Sequence, residues 1–84
     1  MYKDWLENIA SNKDLKWLDL RVLLMLLANI QGATAEISQA AIARKLGMES
    51  PHVSSSIKKL VENGIIKKKY TAGKLVGYRF LIEE

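Results

Sequence analysis

The chain has 84 residues, no cysteine and a formal net charge of +4. That length holds one domain with one core, and the missing thiols exclude disulfides, thiolate metal sites and cysteine nucleophiles. The longest apolar run, Val22 to Ala28, falls far short of the roughly 20 residues that span a bilayer, and the mixed opening Tyr2-Lys3-Asp4-Trp5-Leu6-Glu7 has no export-signal pattern. A cytoplasmic protein without membrane partners is the expectation.

The distribution of charge says more than its sum. Residues 44–79 carry nine basic side chains (Arg44, Lys45, Lys58, Lys59, Lys67, Lys68, Lys69, Lys74, Arg79) against Glu49 and Glu62, whereas residues 1–43 carry four basic and five acidic ones, and Glu83 and Glu84 close the chain. So steep an asymmetry points to a polyanionic partner for the second half, the alternative being a solvated basic face.

In chain order, Tyr2, Trp5, Leu6 and Ile9 recur at helical spacing and predict a short flanking helix over Tyr2 to Ala10. Asp14 is the expected N-cap of a longer helix running to about Gln31, closed by Gly32. Its segment Val22-Leu23-Leu24-Met25-Leu26-Leu27 is apolar nearly all round and needs cover on more than one side. Ala35-Glu36-Ile37 reads as a very short strand. Ser38 caps a helix over Gln39 to Leu46 that Gly47 ends. Ser50 is the expected N-cap of the next, whose first helical residue is Pro51 and which runs to about Glu62 and stops at Asn63-Gly64. The period then changes. Ile65 to Tyr70 and Leu75 to Ile82 read as strands joined by the turn Thr71-Ala72-Gly73-Lys74, with Val76, Tyr78, Phe80 and Ile82 on one face.

The informative stretch is Ile37 to Glu62. Two short helices are separated by a tight turn, and Ala40, Ala41 and Ala43 keep the first slim enough for the second to cross it closely. That is the design of a helix-turn-helix, in which the first helix braces the second and the second presents its outer face to the major groove. On the second helix Val53, Ile57, Leu60 and Val61 form the core side. His52, Ser55, Lys58, Lys59 and Glu62 lie opposite, with Ser54 and Ser56 at the borders. Serine allows close approach to base edges, and lysine reaches guanine or phosphate.

The strings Ile37-Ser38-Gln39-Ala40-Ala41-Ile42-Ala43-Arg44-Lys45-Leu46-Gly47 and Val53-Ser54-Ser55-Ser56-Ile57-Lys58-Lys59-Leu60-Val61-Glu62-Asn63-Gly64-Ile65-Ile66 resemble the winged helix-turn-helix of MarR-type bacterial proteins. The resemblance covers roughly residues 15–82. It implies a mainly α fold with a small C-terminal β-hairpin: a flanking helix over 1–13, a helical core over 14–64 and a wing over 65–82. It also implies recognition-helix contacts at Ser54, Ser55, Ser56, Lys58 and Lys59, to which the first turn of the same helix adds Ser50 and His52 as candidates, and a wing whose candidate contacts are Lys67, Lys68, Lys69, Lys74 and Arg79. The wing Tyr70-Thr71-Ala72-Gly73-Lys74-Leu75 lacks the Asp and Arg pair usual near MarR-type tips. The compact form, ending in Gly77-Tyr78-Arg79-Phe80-Leu81-Ile82-Glu83-Glu84, also resembles winged-helix domains of plasmid and phage replication initiators from bacteria.

Double-stranded DNA is therefore the expected partner, for a transcriptional regulator or alternatively a replication-initiation protein, bacterial, phage or plasmid encoded. A protein-interaction adaptor is the third reading. The surplus apolar surface points to a homodimer through Trp5, Ile9 and the Leu-rich helix. One histidine, no cysteine, no glycine-rich phosphate loop and no metal-ligand cluster argue against an enzyme and against a cofactor. Asp14, Asp19, Glu36 and Glu49 read as caps and solvated positions.

Overall fold

The structure, a computed structural model, describes residues 2–82. Glu83 and Glu84, counted in the charge balance, and the side chain of Tyr2, counted on the apolar side of the first helix, lie outside the described residues. Four helices, α1 (Tyr2–Ser11), α2 (Trp17–Ala28), α3 (Gln39–Leu46) and α4 (Ser50–Glu62), are joined by strands β1 (Ile30–Gln31), β2 (Thr34–Ala35), β3 (Ile66–Thr71) and β4 (Lys74–Phe80). The fold is the expected one: mostly helical, with a helix-turn-helix and a C-terminal hairpin.

The sheet is larger than the hairpin alone. Its order is β1-β2-β4-β3, all pairs antiparallel. β2 pairs with β4 through Thr34 opposite Arg79 and Ala35 opposite Tyr78, so the wing is tied to the chain just before α3. The expected strand over Ala35 to Ile37 is displaced to Thr34–Ala35, and Ile30–Gln31 pairs with it.

That pairing also explains why α2 ends at Ala28 rather than near Gln31. Asn29 caps it, its side-chain amide donating to the Met25 carbonyl at 2.8 Å. Gly32 does not close the helix; it lies in the β1–β2 turn at φ +66°, a conformation that favours glycine. At the other end Asp14 is not the N-cap. Lys16 is, and Asp19 reaches back to accept the Lys16 amide at 2.8 Å. Asp14 instead accepts from the Asn63 amide at 2.8 Å, and Asn63 in turn accepts from Asn12 at 3.0 Å. The α1–α2 loop is thus pinned to the end of α4.

The core is continuous. Val22, Leu26, Ile42, Val53, Ile57, Leu60, Ile66 and Tyr78 are fully buried, each of the aliphatic ones worth about 1.5–3 kcal/mol on removal from water. Trp5 and Ile9 belong to this core as well. Trp5 packs edge-on against Phe80, ring centroids 5.8 Å apart. The expected dimer contact through Trp5 and Ile9 is therefore corrected: helical periodicity marks an apolar face without saying what covers it, and here Trp5 is covered by Phe80 of β4 and Ile9 is buried in the domain's own core. The Leu-rich helix still presents Leu24, 65% exposed, and Trp17, over whose ring Arg21 stacks at 5.6 Å.

The wing turn contains a strained residue. Ala72 has φ +53° and Gly73 φ +79°, the pair of signs a type I′ turn requires and that asparagine-glycine supplies best. A left-handed alanine costs about 1 kcal/mol. Ala72→Asn is expected to stabilise the domain by about that amount and raise Tm by about 4–8 °C; a melting curve checks it.

Candidate nucleic-acid interface

The two helices of the motif are set by local chemistry. The Ser38 hydroxyl accepts the Ala41 amide at 3.1 Å to start α3. Gly47, at φ +64°, ends it, and the Met48 amide returns to the Ala43 carbonyl at 2.9 Å. α4 starts one residue earlier than the sequence suggests. Glu49 is the N-cap, so Ser50 is the first helical residue and Pro51 the second. Pro51 still sits in the first turn, where its missing N–H leaves no bond unmade.

α4 buries Val53, Ser56, Ile57 and Leu60 and exposes Ser50, Pro51, His52, Ser54, Ser55, Lys58 and Glu62. Five of the seven recognition-helix candidates, Ser50, His52, Ser54, Ser55 and Lys58, thus lie at the surface. Two do not join them freely. Ser56 is 4% exposed, and its hydroxyl donates to Asp19 Oδ1 at 2.7 Å. Lys59 is half-buried, with its ammonium 3.4 Å from Asp19 Oδ2. The border position given to Ser56 is corrected: it sits inside the packing of α4 on α2.

Asp19, expected as a cap or solvated position, does accept the N-cap amide of α2, but it is buried, not solvated. It is 5% exposed and gathers the Lys16 amide, the Ser56 hydroxyl and the Lys59 ammonium. Burial alone would push its carboxyl up; those three donors together outweigh the burial and hold it below its ordinary value. A signal was present. Asp19, Val22, Leu23 and Leu26 are the buried residues of α2, and Val53, Ser56, Ile57 and Leu60 those of α4. Both sets have the i, i+3, i+4, i+7 form of a core stripe, each with one polar member, and the polar members meet.

The wing candidates separate by strand alternation. Three consecutive lysines cannot share a face. Lys67 stands opposite Arg79 and Lys69 opposite Gly77, while Lys68 stands opposite Tyr78 on the core-facing side. Lys67, Lys68, Lys74 and Arg79 are exposed. Lys69 is engaged: it reaches across Gly77, which has no side chain, to Glu36 at 3.2 Å. Tyr78 beneath is buried, which pushes its phenol above the ordinary value, partly offset by the Gln39 side chain. Arg44 and Lys45, in the last turn of α3, add exposed charge beyond the candidates.

Among the described residues no group of three or more His, Asp or Glu is placed to hold a metal ion, and no helix is long and apolar enough to cross a membrane. The arrangement can do what a helix and a ribbon with protruding cations do: insert α4 into a groove about 12 Å wide and lay the hairpin along flanking phosphates.

No curated protein matches the sequence as a relative. A family described as winged helix-turn-helix DNA-binding matches residues 18–67, from the first turn of α2 into β3. That span takes in more than half of the chain and every element of the motif, so the chain belongs to the winged helix-turn-helix DNA-binding family.

Proposed function

We propose that this protein binds double-stranded DNA sequence-specifically as a small transcriptional regulator, with α4 in the major groove and the β3–β4 wing against the adjoining backbone. The observation that carries the reading is the run of exposed cations from α4 into the hairpin that follows it: Lys58, Lys67, Lys68, Lys74 and Arg79, with no acidic residue between Ile65 and Ile82. A protein-docking face would more often be apolar at its centre. Lys58, Lys67, Lys68, Lys74 and Arg79 supply affinity through phosphates, and Ser54, Ser55 and His52 supply base discrimination. A replication-initiation protein would use the same surface on a different site.

Fluorescence anisotropy with a labelled random duplex, repeated at several salt concentrations, tests this. The expected result is binding that weakens steeply with salt; failure to bind at low salt overturns the reading. The same assay divides the two adjacent lysines. Lys58→Ala is expected to reduce the slope of log K against log salt by about 1. Lys59→Ala is expected to leave the slope nearly unchanged, because Asp19 already holds that ammonium. Ser55→Ala should alter preference among sites more than overall affinity, which a site-selection experiment reads.

A further inference from the structure

The tip of the wing carries two exposed apolar side chains to which no cation contact assigns a role. Tyr70 is 59% exposed and Leu75 42%. They stand directly opposite one another in the β3–β4 ladder, so their side chains share a face. This pairing depends on an irregularity. From Ile66 opposite Phe80 to Lys69 opposite Gly77 the register is constant, and then it shifts, leaving Val76 unpaired. Without the shift Tyr70 would face Val76, and Leu75 would stand across from Thr71. The bulge brings Leu75 beside Tyr70 and leaves Val76 half-buried. Bulges of this kind re-aim side chains.

The face is identifiable. Along β3, Tyr70 alternates in step with Lys68 and Ile66, and Ile66 is buried against the helices. Tyr70 therefore prolongs the side of the sheet on which the helices pack, and Leu75 beside it borders a cleft with Glu36, Ile37 and Gln39. Exposed lysines flank them, Lys68 in step with Tyr70 along β3 and Lys74 next to Leu75, whereas Lys69 lies on the opposite face and pairs with Glu36.

We propose that the Tyr70–Leu75 pair is an apolar wedge that enters the minor groove of the bound duplex and partly unstacks one base step, bending the DNA. The inference rests on the reading of α4 and the wing as a double-stranded DNA interface. Charge complementarity selects the occupant. Exposed Lys68 and Lys74 flank the tip, the sequence has no acid between Ile65 and Ile82, and Glu36, which borders the cleft beside Leu75, is paired with Lys69. Phosphate walls therefore attract the tip, and a ring and an isobutyl group then meet the apolar faces of bases. Minor-groove binders that kink DNA combine these two parts, cations on the walls and an apolar side chain between bases. The tight turn at Ala72-Gly73 holds the pair at the end of a two-stranded arm.

The test uses the full chain and the duplex recovered by site selection, with 2-aminopurine at the step reached by the wing and a donor–acceptor dye pair on the ends. Wild-type protein is expected to raise 2-aminopurine fluorescence and shorten the end-to-end distance. The double variant Tyr70→Ser, Leu75→Ser is expected to bind about tenfold more weakly, with the salt slope unchanged because no charge is lost, and to give neither signal. Tyr70→Phe keeps both, since the ring and not the hydroxyl does the wedging. A wild-type complex with straight, stacked DNA overturns the wedge, and so does a double variant that bends the duplex as wild type does. Wild type that binds no duplex at all defeats the DNA-binding reading itself, so the two failures are distinguishable.

Discussion

Gly77→Ala is expected to destabilise the domain by about 3 kcal/mol, at the upper end of what overpacking costs, and to lower Tm by about 12–24 °C. A β-carbon at Gly77 would overlap the Ala35 carbonyl oxygen and lie 2.9 Å from the Glu36 α-carbon. Both obstacles are backbone, so no rotamer change relieves the clash. The β2–β4 pairing, only two residue pairs long, has to part, and the Lys69–Glu36 ion pair that crosses Gly77 parts with it. Because β2 leads directly into the Ser38 cap of α3, the change also loosens the helix that braces α4. Differential scanning calorimetry measures the loss. A Tm within a degree or two of wild type would mean that β2 contributes nothing to the cooperative unit.

The second large effect concerns the Asp19 carboxylate. Asp19→Ala strands the buried Ser56 hydroxyl, removes the acceptor of the part-buried Lys16 amide and frees Lys59. An unsatisfied buried group costs about 1–3 kcal/mol, and Lys59, partly exposed, turns to solvent at little cost. About 2–3 kcal/mol of lost stability is expected. The pH dependence has a definite sign. The folded carboxyl lies below its ordinary value of 3.8, so its contribution is complete above the unfolded value and disappears as pH falls through the folded one. Denaturant titrations at pH 6, 4 and 3 should show wild type losing its advantage over Asp19→Asn as the pH drops below about 4. A stability gap that stays constant over that range would refute the assignment of Asp19 as a charged anchor. Since Ser56 and Lys59 sit on α4, the proposed recognition helix, loss of the anchor is expected to loosen α4 on α2, and discrimination among sites should fall together with stability.

Much of this molecule was legible from residue types and spacing. The limits of α3, the first-turn proline of α4 and the two wing strands follow from interactions within a few residues of one another: a serine hydroxyl on an amide three residues on, a glycine at positive φ, a two-residue alternation. Such contacts form wherever the local sequence allows them. The errors have another origin. Asp14 has the chemistry of an N-cap, but Asn63, 49 positions away, takes its carboxylate. Ile30 and Gln31 look like the end of a helix until Thr34 and Ala35 offer them strand partners.

The candidate interface divides along the same line. The sequence by itself determined which residues carry charge, that the cations lie in the second half, and which face of α4 is apolar. These are properties of side chains and helical period, and no neighbour changes them. Only the tertiary structure decided which polar groups remain available. Ser56 and Lys59 are drawn to Asp19, Lys69 to Glu36, and Trp5 to Phe80 of the sheet. The physical reason is that burial and ion pairing depend on which elements meet in space. Helical period states that a face must be covered, and only the packed chain supplies the cover.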